Sequence, residues 1–167
     1  MTKKKNIFPR IDPMETSAEH MLLALELAQE AADKGEVPVG AVIVDSTGAI
    51  IGRGANRREQ DNSPIAHAEI LAINAAAKTI GSWRLTGCTL YVTLEPCPMC
   101  AGAILNARIP KLVYGTADPK AGAVNSLYTL LSDSRLNHRV DISSGMLADD
   151  CGQILTDFFT MLRSAKG

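Results

Sequence analysis

The chain has 167 residues, a formal net charge of −1, 46% hydrophobic and 21% charged residues. That composition excludes a disordered chain, no run approaches the roughly 18 apolar residues of a membrane span, and the near-neutral balance does not announce a nucleic-acid partner. Cys88, Cys97, Cys100 and Cys151 are too few for a disulfide scaffold, so the chain reads as one domain of a reducing, cytoplasmic compartment, where close cysteines suggest metal or redox chemistry.

Residues 1–15 mix lysine, arginine, aspartate and proline, and read as a flexible arm ahead of a single domain over 16–167. Thr16 stands three residues before Glu19, the spacing of a capping box. Met21, Leu22, Leu25, Ala28 and Ala32 then recur at helical intervals, and Gly35 can close the helix. Val39–Val44, the turn Asp45–Gly48 and Ala49–Gly52 predict a β-hairpin. Residues 53–65 are polar and read as a loop. Ala66–Thr79 predicts a second helix ending at Gly81, and Thr89–Leu94 a strand. Met99–Ala107 reads as a helix closed by Pro110, Leu112–Tyr114 as a strand, Ser126–Leu131 as a short helix, Val140–Ile142 as a strand and Ala148–Leu162 as the last helix. His20 reads as solvent-facing and Trp83 as a core or interface anchor. Leu127, Leu130, Leu131 and Met146 read as core or interface packing. Alternation of strands and helices implies parallel strands covered on both faces, and the opening hairpin makes the sheet mixed. The expected architecture is a three-layer α/β/α domain with a central sheet of about five strands.

The chemistry-bearing residues are His67, Glu69, Cys97 and Cys100. Cys97 and Cys100 are three apart at a helix start, so both sulfurs can reach one ion, and a helix N-terminus favours thiolate. His67 and Glu69 are two apart, which in mid-helix points them to opposite faces. They share a site only where the helix aims its N-terminal end at the ion. A His, Cys, Cys set suits tetrahedral zinc with its fourth position left to water, and Glu69 is placed to take and hand on a proton. A structural zinc site needs a fourth protein ligand. Cys88 is poorly placed for that, and Cys151 reads as a buried small hydrophobe. A redox dithiol gives no reason for the upstream His-x-Glu.

His67-Ala-Glu69 with Pro96-Cys97-Pro-Met-Cys100 resembles the zinc-dependent cytidine-deaminase-like superfamily. Glu36-Val-Pro-Val-Gly-Ala41, Leu90–Cys97, Met99–Gly102, Asn137-His-Arg139 and Asp157-Phe-Phe159 carry the likeness further, to the bacterial tRNA adenosine deaminases. The resemblance implies one zinc ion per subunit and hydrolysis of adenosine to inosine, with release of ammonia, at the wobble position of a tRNA anticodon stem-loop. Water on the zinc would attack C6, and Glu69 would shuttle protons. It also implies a homodimer. By the same resemblance Asn56, Ala68, Asp118, Lys120, Asn137, His138, Phe159 and Arg163 would contact the RNA. Asn56 also reads as a turn residue, Asp118 and Lys120 as solvated loop charges, Phe159 as packing and His138 as a surface histidine. Asn125 departs from the glycine that family members often carry there. The alternative activity on the same fold is deamination of a free base or nucleoside, of the guanine or cytosine type. Arg53, Arg57, Arg58, Lys111, Lys120, Arg135, Arg139 and Arg163 can build local basic surface despite the neutral sum.

Overall fold

A computed structural model describes residues 13–167, with side chains from residue 16; most of the expected 1–15 arm lies outside the described residues. The elements run α1 (Pro13–Asp33), β1 (Gly40–Val44), β2 (Ile50–Ala55), α2 (Ala68–Ile80), β3 (Thr89–Leu94), α3 (Pro98–Asn106), β4 (Lys111–Thr116), a 3-10 turn (Leu130–Ser132), β5 (Asp141–Ser144) and α4 (Ala148–Ala165). The strands form one sheet in the order β2-β1-β3-β4-β5. β1 is antiparallel to both β2 and β3, whereas β3–β4 and β4–β5 are parallel. Each parallel step follows a crossover too long for a hairpin, as parallel pairing requires.

Side-chain alternation along β1 explains the layers. Ala41 and Ile43 join Leu90, Val92, Ala68, Ala72, Ala101 and Ile104 in the larger core, on the α2 and α3 face. Val42 and Val44 face the other way, with Met21, Ala24, Tyr91 and Cys151 under α1 and α4. The result is the expected three-layer α/β/α architecture around a mixed five-stranded sheet. Among the described residues no helix is long and apolar enough to cross a membrane.

Close approach of helix to sheet rests on glycine. A Cβ at Gly52 or Gly54 would overlap carbonyls of Ala72 and Ala68 in α2, and one at Gly40 would overlap the Ala24 carbonyl in α1. Gly54 therefore lies directly beneath the first turn of α2 and sets where that helix begins. Gly81, at φ 68°, closes its other end in the left-handed conformation that glycine adopts without penalty.

Several expectations are corrected. α1 begins at Pro13, so Thr16 lies inside the helix rather than capping it. Its buried stripe is Met21, Ala24, Ala28 and Ala31, while Leu22 is 50% exposed. β2 runs on through Arg53, Gly54 and Ala55, which the polar composition had assigned to the loop. No helix spans 126–131; regular structure there is confined to the 3-10 turn. His20 is half-buried, its ring centroid 5.0 Å from that of Tyr91, rather than solvent-facing. Trp83 is not core: it is 56% exposed, with the Arg84 guanidinium 4.2 Å from its ring centroid. Leu131 is buried and Leu130 and Met146 pack partly, but Leu127 is exposed.

Candidate metal centre and adjoining pocket

The site forms where several strand ends meet. Asn56 follows β2, residues 37–39 precede β1, Glu95 follows β3 and Asp118 lies just past β4, so all four segments emerge at one end of the sheet. The carboxyl ends of parallel strands are where open α/β sheets bind ligands. Two helix N-termini point into the same place. His67 is the N-cap of α2 and Cys97 the N-cap of α3, both in extended conformation, and Pro98 opens α3 as its first residue. Proline suits that position because the missing N–H has no intrahelical partner anyway.

His67 Nδ1 is 3.6 Å from the Cys97 sulfur and 3.4 Å from the Cys100 sulfur. The three ligand atoms lie within 4.8 Å of one another. Nitrogen and sulfur held at roughly 2.0 and 2.3 Å from one tetrahedral ion are themselves about 3.5 Å apart, so the donor set fits a single metal ion without rearrangement. Cys100 is fully buried, and Glu69, in the first turn of α2, is only 4% exposed. The expected condition for His67 and Glu69 to share a site is met: α2 presents its N-terminal end to the cradle.

The electrostatics follow from this crowding. A hydrogen bond from the Cys100 thiol holds the Cys97 thiol down at about 4, against the cost of burial and with help from His67. The same bond, seen from the other side, raises the Cys100 thiol, and burial adds to it. His67 is raised by its hydrogen bond with Cys97, and burial raises the Glu69 carboxyl. Three groups that compete for one proton are three groups that a single cation satisfies together.

A pocket of about 210 Å³ opens over the cradle; its wall includes His67, Ala68, Glu69, Cys97, Asn56 and Asp118. Asn56 is 6% exposed, its Nδ2 donating to the Val37 carbonyl at 3.1 Å and its Oδ1 accepting the Arg58 N–H at 3.4 Å, so it is a fixed wall residue that also makes the local bond of a turn asparagine. The pocket shares Val37, Leu94 and Asp118 with a wider groove of about 660 Å³ between the 117–120 segment and α4. Lys120, Phe159 and Arg163 line that groove. Phe159 is exposed there, its ring edge-on to the buried Phe158 at 5.5 Å. Asp118 does double duty: its Oδ1 accepts the N–H of Lys120 at 3.0 Å and of Ala121 at 3.2 Å, closing a turn at the groove's lip.

Asn137 and His138 are not brought to this pocket. They lie between the 3-10 turn and β5, and the His138 Nε2 donates to the Ile109 carbonyl at 2.8 Å. Sequence reasoning missed two residues, Glu36 and Glu95. Both are buried carboxylates; Glu95 lines the pocket, and Glu36 precedes its wall residue Val37. Glu36 accepts the N–H of Gln60 at 2.7 Å and of Glu59 at 3.2 Å, and Glu95 does the same for the facing segment. For Glu95 the available signal was an acidic residue directly at the end of a strongly apolar strand, where a charge is tolerated only if it is saturated with donors; Glu36, four residues ahead of β1, carries no such signal.

Comparison with known proteins agrees with this geometry. The model of the MafB19-like deaminase family matches residues 15–163. A tRNA-specific adenosine deaminase of Bacillus subtilis is 50% identical over 88% of this chain and 91% of its own. A structure from a study of A-to-I editing by tRNA:A34 deaminases at the wobble position of transfer RNA is 46% identical, with a TM-score of 0.79 over 82% of this chain and 99% of that one. A guanine deaminase of Nitrosomonas europaea superposes with a TM-score of 0.74 over 92% of this chain and 88% of that one, but at 23% identity, a likeness of fold alone.

Proposed function

The chain belongs to the MafB19-like deaminases and, among them, to the tRNA-specific adenosine deaminases, and from that premise we propose that it hydrolyses adenosine to inosine at the wobble position of a tRNA anticodon. The observation that carries the reading is the pairing of a metal cradle beside a buried carboxylate with a small pocket that opens into a long, partly basic groove. A free-base enzyme needs only the pocket; a nucleic acid also needs the groove. Anticodon bases are already unpaired, so turning one into the pocket is inexpensive.

His67, Cys97 and Cys100 would hold zinc, the ion such a set suits when a fourth position stays open. Zinc held there supplies the Lewis acidity that makes water a nucleophile near neutral pH. Glu69 performs the proton transfers. Adenine C6 carries an amine that leaves poorly, and addition at C6 requires a proton on N1. The Glu69 carboxylate accepts a proton from the attacking water and delivers it to N1. It then passes a second proton to the amine, which departs as ammonia, so that adenosine and water become inosine and ammonia. Asn56 and the Ala68 backbone hold the base in the pocket. Asp118, Lys120, Phe159 and Arg163 seat the flanking nucleotides, with stacking and phosphate contact as the available chemistry. Asn137 and His138 contact the RNA away from the pocket, and the reading includes a homodimer, as the family resemblance implies. It also places the enzyme in the cytoplasm, with its tRNA and with reduced thiols.

The test is a direct comparison on the zinc-loaded protein. Inosine formation is followed in an anticodon stem-loop with adenosine at the wobble position, and ammonia release from free guanine, cytosine and adenosine. Turnover of the stem-loop with little or none of the small substrates is expected. Efficient release of ammonia from guanine or cytosine with an inert stem-loop would overturn the reading in favour of a free-base deaminase.

A further inference from the structure

Glu95 takes no part in the metal cradle and none in the proton transfers, yet it is the best-satisfied charge at the site. Its side chain is 2% exposed. A buried carboxylate is tolerated only when its oxygens are matched by donors. Here the five donors come from one segment. Oε1 accepts the N–H groups of Val124 at 3.2 Å, Asn125 at 2.8 Å and Ser126 at 2.9 Å, while Oε2 accepts the Asp118 N–H at 2.9 Å and the Ser126 hydroxyl. Glycine at 122 is part of the arrangement, since a Cβ there would overlap the carboxylate. Asn125 adds a brace, its Nδ2 donating to the Tyr114 hydroxyl at 2.6 Å.

The pinned segment is the one that supplies Asp118 and Ala121 to the pocket and Asp118 and Lys120 to the groove. It belongs to no helix or strand; beside the Asp118 turn, the Ala123 N–H to the Pro96 carbonyl at 2.9 Å and the Asn125 brace, its donors converge on one side chain at the end of β3, two residues from Cys97. We propose that Glu95 is a positioning residue for RNA: its carboxylate fixes the 118–126 segment as the wall against which the substrate is seated, and so sets affinity without touching the reacting atoms. The proposal rests on the tRNA deaminase reading above.

Glutamine at 95 keeps the length and shape of the side chain. It replaces one acceptor oxygen by an amide NH₂ that faces other donors, leaving buried N–H groups without partners. The segment then occupies the seated conformation only part of the time. Apparent affinity falls by the inverse of that fraction, while turnover from the fully bound state is preserved. A merely structural role has the opposite signature, because loss of folded enzyme lowers apparent kcat at constant KM.

The experiment compares wild type, Glu95→Gln and Ser126→Ala as full-length, zinc-loaded proteins. Zinc content, kcat and KM on the anticodon stem-loop, and the rate of trypsin cleavage after Lys120 are measured for each. For Glu95→Gln the expected result is unchanged zinc, KM raised about ten-fold or more, kcat within about three-fold, and cleavage after Lys120 accelerated about ten-fold. Ser126→Ala, which removes a single donor, should move KM and cleavage the same way by about two- to three-fold. Unchanged KM and unchanged cleavage in both variants would overturn the proposal, as would kcat and zinc content falling together at constant KM. If Glu95→Gln does not fold, Ser126→Ala decides by the same criteria. Failure of the wild type to act on the stem-loop sinks the tRNA reading instead, and the trypsin comparison then still reads the pin without any substrate.

Discussion

At the floor of the pocket His67 and Cys97 cap two helices whose backs are packed on the sheet, whereas at its rim residues 57–63 and 117–126 are irregular and hang on two buried carboxylates, Glu36 and Glu95. The floor inherits its geometry from the whole fold. Gly54 lets α2 sit on the β2 backbone, and the alanines of α2 fill the core behind it, so the cradle is as rigid as the sheet. The rim inherits its geometry from single side chains. Damage to the floor should therefore end the chemistry or the fold, and damage to the rim should weaken binding and spare the chemistry.

The sharpest way to break that contrast is at a ligand. Cys97→Ala should drop bound zinc to less than about a tenth of an equivalent and turnover to background, read by metal analysis beside the stem-loop assay. Full zinc occupancy in that variant would mean the cradle is misassigned. The next effect concerns the support beneath the floor. Gly54→Ala forces a methyl group against the Ala68 carbonyl, between the positions of His67 and Glu69. Overpacking of this kind costs about 1–3 kcal/mol, so denaturant unfolding should shift to lower concentration and zinc should bind more weakly. Wild-type stability would show that α2 is not seated on this glycine. The smallest effect lies in the groove. Arg163→Ala should weaken stem-loop binding by less than about ten-fold at ordinary salt and flatten the log–log salt dependence by about one unit, with kcat retained. An unaltered salt slope would remove Arg163 from the RNA path.

The same contrast explains what could be read in the sequence. The floor was legible because its residues sit at spacings that only a helix start can bring together, and β3, α2 and α3 were recognisable from apolar runs bounded by glycine and proline. The rim was not. Ser126–Leu131 has helical composition, but the Leu130 N–H, which would close a first turn on the Ser126 carbonyl, goes instead to the Ala123 carbonyl at 3.1 Å, so no helix propagates from Ser126. Arg53-Gly54 has loop composition, yet it is strand because the glycine is needed under α2 and the arginine has the other face. His20 fails for a related reason: whether an amphipathic side chain is covered depends on a partner distant in sequence, here Tyr91. Asn137 and His138 remain apart from the pocket within one chain, with His138 turned to the Ile109 carbonyl, a separation that no local pattern in the sequence signals.

The central claim is that the metal cradle and Glu69 form one catalytic unit acting on a wobble adenosine. It is tested most directly by purifying Glu69→Ala beside wild type, measuring zinc per chain, and following inosine formation in the anticodon stem-loop. The account predicts equal zinc in both proteins and turnover lost by at least about a thousand-fold in the variant, since proton transfer by a positioned side chain contributes on the order of 10²–10⁴. Substantial inosine formation by a fully zinc-loaded Glu69→Ala protein would contradict it.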